Sequence, residues 1–494
     1  MNLVTIRAIV LVLYLGFMLS VGFFQGKKVK SDDDYNIGGR SVPGWVAALS
    51  ERATAESAFC MVGIPGAAYV TGMASIWMAI GFGLGNILAW VAISHRMQAE
   101  SEKHEVNTYM DWISKRHTKF GKSLRLIGAF ILVFTFLFYI EGQILGGGKT
   151  LGSMFGIKMS TGLLITFLII MPYAVYGGFQ SVVYTDVIQA LLMIFTLIVT
   201  PIIGIFYIKN NPADVQFTSL GAALRSASLM SSTGGLKGLA AGVFIGNSLA
   251  WAITYFGGFP PSSIRYMSIK DKASMKTAKT IAIGWASLAY FGAITLGFIG
   301  IAIFGPNAFA DPETVMPEVI MTIFPTVLGA ILVTSAMAGL ISTADSMLVL
   351  ASSEISESIF KPYFVKGEMT REQNLKISRL ITVALGLFAL GLVYIIPQDL
   401  VYNVVGFAWG GLGASFSTLS LLTLFWKDFN AYGAMTAMVV GFVSSVLWYI
   451  SPLEQIVPAM ATGFIFSLIS AVIATKLTVH KFDSASMEVN EKSN

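Results

Sequence analysis

The sequence has few of the residues on which disulfides and most metal centres depend. Among 494 residues there is one cysteine, Cys60, and the four histidines show no spacing typical of metal ligands. A single cysteine excludes disulfides within the chain and cysteine-ligated metal clusters. No Gly-x-x-x-x-Gly-Lys-Ser/Thr loop is present, so nothing in the sequence indicates an ATPase.

Charged residues are scarce as well. They make up 12% of the chain, whereas hydrophobic residues make up 55%; soluble domains are about 25% charged. Uniform apolar runs of helix length, without alternation of period two, exclude an outer-membrane β-barrel. The first run, residues 4–24, is long enough to span a bilayer and lacks a small-residue cleavage site, so no cleavable signal peptide is expected. The composition predicts a polytopic, all-α integral membrane protein.

Apolar windows of about 20 residues predict thirteen transmembrane helices. They cover residues 4–25, 43–67, 70–95, 124–150, 159–177, 182–208, 236–257, 278–304, 322–352, 376–396, 399–425, 430–450 and 455–476. With the N-terminus outside, the predicted inner segments hold 25 Lys and Arg residues and the outer ones 6. The positive-inside rule therefore predicts a multi-pass protein of the cell inner (plasma) membrane with a cytoplasmic C-terminus. Residues 477–494 are predicted to be a disordered cytoplasmic tail.

The second predicted span is the most unusual. Three charged and three hydroxyl side chains lie in its middle, in the run Ser50-Glu51-Arg52-Ala53-Thr54-Ala55-Glu56-Ser57. Because a charge at the centre of a spanning helix costs about 2.5–3.5 kcal/mol, this run is expected to line a cavity or an ion path. Arg52 and Glu56 are four residues apart and could neutralise each other. Gly63, Pro65 and Gly66 predict an interrupted helix, which in transporters indicates a binding site.

Three further carboxylates are predicted at membrane depth. Glu141 lies in the fourth span, Asp186 starts the sixth, and Asp345 belongs to Ser342-Thr343-Ala344-Asp345-Ser346 in the ninth. Asp186 could be a solvated helix cap and Glu141 a buried hydrogen-bonded acid. The run around Asp345 indicates a site for a cation such as Na+, because carbonyl oxygens of an unwound helix together with hydroxyls or a carboxylate suit a hard cation.

The seventh predicted span carries a second interruption, in the run Gly257-Gly258-Phe259-Pro260-Pro261. Before it, Trp251 and Tyr255 would share one helix face, either in an aromatic belt at the interface or as the wall of a solute site. Since the second and seventh spans are five apart, two repeats, about 43–208 and 236–425, would each begin with a broken helix. This is the inverted five-helix repeat of LeuT-type transporters, here within one transporter domain, residues 1–476.

Motifs over nearly the whole chain resemble those of the sodium:solute symporter family, and most closely its bacterial sodium/proline symporters. They are Asp34-Tyr35-Asn36-Ile37-Gly38-Gly39-Arg40, Ala48-Leu49-Ser50, Gly63-Ile64-Pro65-Gly66-Ala67, Tyr176-Gly177-Gly178, Thr185-Asp186-Val187-Ile188-Gln189 and Ile341-Ser342-Thr343. The resemblance implies a sodium-coupled symporter that imports a small organic solute, with proline or a related amino acid expected. A proton- or sodium-coupled carrier of another solute, such as a carboxylate, and a membrane sensor are the alternatives. No enzymatic activity, organic cofactor or nucleic-acid partner is expected; the lipid bilayer and the small solute are the expected partners.

The resemblance also implies the site residues. The Na+ ligands would be the carbonyls of Ala53, Glu56 and Gly339 and the hydroxyls of Ser342 and Thr343. A second Na+ site would use Asp186, Ser342, Asp345 and Ser346. The substrate-binding residues would be Ser57, Ala58, Tyr139, Trp251, Tyr255 and Pro260.

The chain differs from the proline symporters inside this region. Ala55 stands where that group has an aspartate important for sodium, and Ala58-Phe59 replaces a Gly-Trp pair. One extra residue lies between Tyr255 and Pro260. The remaining differences are the charged residues Glu51, Arg52 and Glu56. We expect gating or specificity to depend on these three residues and on Glu141. Glu56 could replace the missing aspartate or accept a proton.

Overall fold

The computed structural model describes residues 2–27, 32–365, 369–396 and 400–491; residues 32, 33, 176, 177, 371 and 479–491 are described by their backbone alone. Within these ranges the chain forms 23 α-helices. In the first half they are α1 Leu3–Gly26, α2 Asp32–Ile37, α3 Gly44–Ala58, α4 Ile64–Thr71, α5 Ile76–Leu88, α6 Ser94–His104, α7 Tyr109–Arg116, α8 Gly121–Phe155, α9 Met159–Ile194, α10 Thr200–Asn210, α11 Leu220–Ser226 and α12 Gly238–Leu249. In the second half they are α13 Trp251–Tyr255, α14 Pro260–Ser268, α15 Lys272–Phe304, α16 Val315–Ile323, α17 Thr326–Ile355, α18 Lys361–Phe364, α19 Arg371–Ile395, α20 Val401–Leu412, α21 Thr418–Phe425, α22 Ala431–Tyr449 and α23 Ala459–Glu491.

The predicted spans coincide with helical segments of the structure to within a few residues. Eleven segments of the described chain are long and apolar enough to cross a membrane. One of them, Gly44–His104, contains the second and third predicted spans, divided at Gly72, where a φ of 58° and a ψ of −134° end α4. The fifth predicted span is the shorter apolar helix Met159–Val175. The expectation of an all-α membrane protein with about thirteen spans is confirmed.

Both predicted helix interruptions are present, but the first lies at Ser57, and the chain stays helical through Gly63, Pro65 and Gly66. In α3, Ser57 has a φ of 50° and a ψ of −170°, and a left-handed φ is uncommon for any residue other than glycine. In the seventh span, α13 ends at Tyr255, and Gly257 has a φ of 88° before α14 begins at Pro260. A Cβ at the adjacent Gly258 would overlap the Ser417 hydroxyl oxygen, so this glycine lets the interruption approach the chain after α20 closely.

The interrupted helices lie at the centre of the bundle. Every residue of α14 is buried, and so are most residues of α3. Helix α3 packs against α9, α15 and α17, while α1 covers α9 and α17 from the outside. Small residues allow these approaches, as is usual between membrane helices; a Cβ at Gly44, for example, would overlap the Ser274 carbonyl oxygen.

Helices α22 and α23 pack together at the periphery. Helix α23 continues to Glu491, so the backbone of the predicted tail is helical as far as that residue, and residues 492–494 lie outside the described part of the chain.

Candidate solute and cation site

The break at Ser57 redirects the backbone hydrogen bonds of α3. In a continuous helix the Ala58 amide would donate to the Thr54 carbonyl. Here it donates to Oε1 of Gln143 at 2.9 Å, and the Thr54 carbonyl instead accepts from the Thr343 hydroxyl at 2.8 Å. The interruption thus brings a carbonyl of α3 next to hydroxyl groups of α17.

Several predicted cation ligands meet at this point. The Thr343 hydroxyl also lies 3.1 Å from the Gly339 carbonyl, so two ligands expected from α17 adjoin the unwound end of α3. The Ser342 hydroxyl is turned away and donates to Oδ1 of Asp186 at 2.6 Å. The Glu56 carbonyl accepts from the Phe59 amide. Carbonyl and hydroxyl oxygens at a broken helix are the groups that transporters use for Na+. Here the Thr54 and Gly339 carbonyls and the Thr343 hydroxyl lie together.

An aromatic box lies beside the break. The Tyr139 hydroxyl donates to the Ser57 hydroxyl oxygen at 3.2 Å. Phe259 stacks on Trp409 with centroids 4.4 Å apart, and Tyr255 stacks on the same indole at 5.2 Å. Tyr139 lies 6.2 Å from Phe259 and 6.1 Å from Trp409. The four rings of Tyr139, Tyr255, Phe259 and Trp409, called here the inner aromatic box, therefore form one cluster, which Tyr139 joins to Ser57.

One residue of the inner aromatic box, Trp409, has a hydrogen-bond donor without a partner among the described residues. Trp409 is 1% exposed, and its Nε1 has no hydrogen-bond partner among the described residues. A buried indole N–H normally finds a partner, because leaving it unpaired costs about 1–3 kcal/mol. The Tyr139 hydroxyl is its polar neighbour but does not accept a hydrogen bond from it, so this donor is available to a bound molecule.

Trp251 belongs to a second aromatic group, together with Phe59, Phe82 and Tyr402. Its ring stacks on Phe82 at 4.7 Å and lies 5.1 Å from Phe59 and 6.0 Å from Tyr402. Trp251 and Tyr402 also line a cavity of about 570 Å³ together with Asn247 and Glu454. The predicted solute residues thus divide into two layers, with Ser57, Tyr139 and Tyr255 in one and Trp251 in the other. Pro260, fully buried, is the first residue of α14 directly after Phe259.

The charges of the second span form a buried network. Arg52 donates from Nε and from Nη2 to the Glu51 carboxylate, both at 2.6 Å. Its Nη2 also donates to the Tyr255 hydroxyl, and the Asn86 amide, with its oxygen turned toward the guanidinium, accepts at 2.7 and 3.2 Å. The Glu51 carboxylate further accepts from Ser262 at 2.6 Å. Arg52 and Glu51 are both 0% exposed, so this ion pair satisfies itself within the protein.

The predicted pairing between Arg52 and Glu56 is present only at a distance. Arg52 Nη1 lies 4.0 Å from Glu56 Oε1, so Glu51 is the closer partner. Glu56 Oε2 accepts from Trp285 at 2.9 Å, whereas its Oε1 has no hydrogen-bond partner among the described residues. Glu141 is 3% exposed, and its Oε2 likewise has no partner in the described part of the chain. The two glutamates are therefore buried acids with spare acceptor capacity.

A second buried arginine lies among the residues predicted for a second Na+ site. Arg265 of α14 is 0% exposed, and its Nη2 lies 3.0 Å from Asp186 Oδ2 and 2.8 Å from the Ser346 hydroxyl. Asp345 is 1% exposed, and its Oδ1 has no partner among the described residues. The four predicted residues do come together, but an arginine side chain lies between two of them.

Sequence reasoning did not identify Arg265, Phe259, Trp409 or Gln143 as site residues. Arg265 follows the proline pair of the seventh span and looks like one more inner basic residue. An arginine four residues beyond an intramembrane break, and an amide four residues after Tyr139, were the available signals. For Trp409 the signal was an aromatic residue beside paired glycines.

A carboxylate in the loop before α16 lies next to Tyr402, a neighbour of Trp251. Glu313 is 1% exposed and accepts from Lys149 Nζ at 2.6 Å. It also accepts from the backbone amides of Val401 and Tyr402, each at 2.9 Å, at the start of α20, where a carboxylate is favourable. Burial raises the pKa of this carboxyl, with Lys149 opposing the shift. Glu313 therefore ties the loop before α16 to α8 and to the helix that carries Tyr402.

Comparison with known proteins agrees with this architecture. The fold resembles that of a Na+-coupled sialic acid symporter in a substrate-bound, outward-open state, with a TM-score of 0.77, 20% identity and coverage of 96% of this chain and 97% of that one. It also resembles a nucleobase-cation-symport-1 family transporter in a closed conformation, with a TM-score of 0.55, 14% identity and coverage of 91% and 95%. The LeuT-type arrangement with broken first helices of the repeats is thereby confirmed.

Sequence comparison gives the family. The chain is 30% identical to the high-affinity proline transporter PutP of Bacillus subtilis, covering 93% of this chain and 96% of that protein. It is 30% identical to a sodium/proline symporter of Staphylococcus aureus, with 95% and 92% covered, and 29% identical to the osmoregulated proline transporter OpuE of Bacillus subtilis, with 94% of each covered. The model of the sodium:solute symporter family matches residues 35–441. The chain therefore belongs to the sodium:solute symporter family.

Proposed function

We propose that this protein couples the inward movement of Na+ to the uptake of proline or a closely related amino acid. The observation that carries the proposal is the break at Ser57, which adjoins both a set of carbonyl and hydroxyl oxygens and the inner aromatic box. The names of the relatives, which are proline transporters, support the solute.

The inner aromatic box suits a small amphipathic solute. Its rings would pack against a pyrrolidine ring, and the Trp409 Nε1, which lacks a partner in the described chain, would donate to a solute carboxylate. The Ser57 hydroxyl adds a second polar group at the broken helix. We assign solute binding to Ser57, Ala58, Tyr139, Tyr255 and, as an addition to the predicted set, Trp409. Trp251 and Pro260 would shape the walls above and below.

The proposed Na+ site uses the carbonyls of Ala53, Glu56 and Gly339 and the hydroxyls of Ser342 and Thr343, with the Thr54 carbonyl added. Because the same break presents the cation ligands and the solute groups, occupation of one site would favour the arrangement needed by the other. This is how binding of both ligands would be linked.

Arg52 does not serve as the carboxylate-binding group in this proposal. Its guanidinium is already bonded to Glu51, Tyr255 and Asn86, so breaking that network for the solute would leave Glu51 buried and unpaired. The free oxygen of Glu56 favours a second candidate, in which a proton bound at Glu56 contributes to coupling. Glu56→Gln would then remove the pH dependence of uptake but keep its sodium dependence.

The experiment is uptake of radiolabelled proline into proteoliposomes with an imposed inward Na+ gradient. Uptake above equilibrium is expected with Na+ and none with K+. Trp409→Phe keeps an aromatic ring but removes the N–H, so affinity should fall about 10- to 100-fold. Trp45→Phe, at a ring that is 48% exposed, serves as the control and should change nothing. Proline uptake that is indifferent to sodium would overturn the proposal.

The orientation is also proposed: the N-terminus outside and the C-terminus cytoplasmic in the plasma membrane, in one domain of two repeats. The native Cys60 is buried, so single introduced cysteines can report the topology. A membrane-impermeant maleimide added to intact cells should label Asn2→Cys and spare Lys427→Cys, and the opposite labelling would reverse the orientation.

A further inference from the structure

The second buried cation of the membrane region is the guanidinium of Arg265. Its Nε donates to the Ser50 hydroxyl at 2.7 Å, and its Nη2 donates to the Thr54 hydroxyl at 2.6 Å and to the Ser346 hydroxyl at 2.8 Å. The ion pair with Asp186 is 3.0 Å long, with both side chains 0% exposed. Four oxygen-bearing groups from three helices, α3, α9 and α17, therefore converge on one positive charge carried by α14.

These oxygens bond to one another as well as to the guanidinium, and the cluster is organised around the positive charge. The Ser50 hydroxyl donates to Asp186 Oδ2 at 2.6 Å, which leaves its lone pairs for the Nε of Arg265. The remaining Asp186 oxygen accepts from Ser342 at 2.6 Å. Thr54 and Ser346 lie 3.1 Å apart and both face Nη2. Hydroxyl and carboxylate oxygens around one positive charge form the kind of cluster that would also hold Na+.

The cluster overlaps the second Na+ site that the resemblance implies. Of its four residues, Asp186 and Ser346 contact the guanidinium directly and Ser342 is bonded to Asp186. Only Asp345 remains, with an unpartnered Oδ1 in the described chain and a place in the wall of a cavity of about 240 Å³ next to α1. A sodium ion cannot use the Asp186 oxygens while the guanidinium holds them, so this residue set does not fit a second ion.

We propose that the Arg265 guanidinium is a tethered cation that takes the place of a second sodium ion, and that this transporter therefore binds a single Na+. The inference rests on the proposed function only in requiring coupling to Na+; it is independent of the solute.

The arrangement also gives Arg265 a positioning role between moving parts. Ser50 and Thr54 belong to α3 and Arg265 to α14, the two helices beside the breaks, whereas Asp186 and Ser346 belong to the long helices α9 and α17. The guanidinium joins the two groups of helices. When one group of helices rocks against the other, as alternating access requires, the bonds from Arg265 to Asp186 and Ser346 have to break. A soluble ion is not needed to hold the two groups of helices together.

The test counts sodium ions on the purified protein without solute. Binding of ²²Na+ should saturate at one ion per protein with a Hill coefficient of about 1. Arg265→Gln frees the Asp186 oxygens, so the count should rise to two and the Hill coefficient toward 2. Arg265→Lys keeps the positive charge and should retain one ion. The double variant Arg265→Gln, Asp186→Asn should return to one ion, because the carboxylate that attracts the added ion is gone.

Two ions on the wild-type protein would overturn the proposal, and Asp345→Asn would then show whether the second ion binds at the free carboxylate. One ion on a folded Arg265→Gln variant would overturn it as well. If that variant cannot be purified, the wild-type count decides: one ion supports the proposal and two refute it. Because the assay contains no solute, a failure of proline to bind leaves this result intact.

Discussion

The ion pair between Glu51 and Arg52 gives the sharpest stability prediction. Glu51 accepts hydrogen bonds from five donors: two nitrogens of Arg52, the hydroxyls of Ser262 and Tyr255, and the indole N–H of Trp90. Glu51→Gln removes the negative charge and leaves a guanidinium buried at 0% exposure. Removing one partner of a buried pair typically costs about 3–5 kcal/mol, and we expect a loss of that size.

The assay is equilibrium unfolding of purified protein in mixed micelles. Glu102→Gln provides the matched control, because Glu102 is exposed and such a surface change should stay within about 0.5 kcal/mol. The double variant Glu51→Leu, Arg52→Leu removes both charges at once. Replacing a whole buried pair by apolar side chains is often neutral, so the double variant should recover most of the loss caused by Glu51→Gln.

A Glu51→Gln variant as stable as the wild type would refute the reasoning, because it would mean that the Arg52 charge does not depend on Glu51. A double variant no more stable than the single one would also count against it, since the loss would then come from packing rather than from an unpaired charge.

Three further predictions concern other parts of the fold. Gly292→Ala should destabilise the protein by about 1–3 kcal/mol, because a Cβ there would overlap a backbone carbonyl oxygen. In the same helix, a Cβ at Gly284 would meet nothing within 4 Å, so Gly284→Ala should be neutral or slightly stabilising. Thermal unfolding distinguishes the two variants. Burial and the neighbouring arginine lower the pKa of His117 to about 4, below its unfolded value of about 6.5. The free energy of unfolding should therefore fall as the pH drops from about 6.5 to about 4. His117→Gln should flatten this dependence, and an equal slope in both proteins would contradict the prediction. Glu313→Gln should cost only about 1–3 kcal/mol of stability, less than Glu51→Gln, because Lys149 keeps a second carboxylate, that of Asp311, at 2.9 Å. A larger loss in unfolding experiments would show that this second contact does not compensate.

Much of the fold follows from the sequence alone. Each span is a local property, since about 20 apolar residues must form a helix in hydrocarbon to satisfy their own backbone groups. The second interruption was local as well, because paired glycines and prolines do not continue a helix. The first was indicated by three charges in a span, which require a protein environment, but it lies at Ser57, while Gly63, Pro65 and Gly66 stay helical. The motifs that resemble the family lie along the whole chain and agree with these local signals.

The partners of the charged residues were not predictable in this way. Arg52 was expected to pair with Glu56 on the same helix face, but its closer partner is Glu51. Neighbouring residues of a helix do not normally face each other. Here Tyr255 and Ser262, more than 200 residues away, bond the same two groups and draw them together.

Arg265 illustrates what only the tertiary structure decided. By position it is one more basic residue near the inner end of a span, and its closest oxygens lie on Ser50, Asp186 and Ser346, between 79 and 215 residues away. The sequence determined that the chain crosses the membrane, where its helices break and that cation ligands accompany the breaks. Which positive charge those ligands hold depends on how four helices meet, because a buried charge takes the nearest oxygens in space, and distance along the chain does not report them.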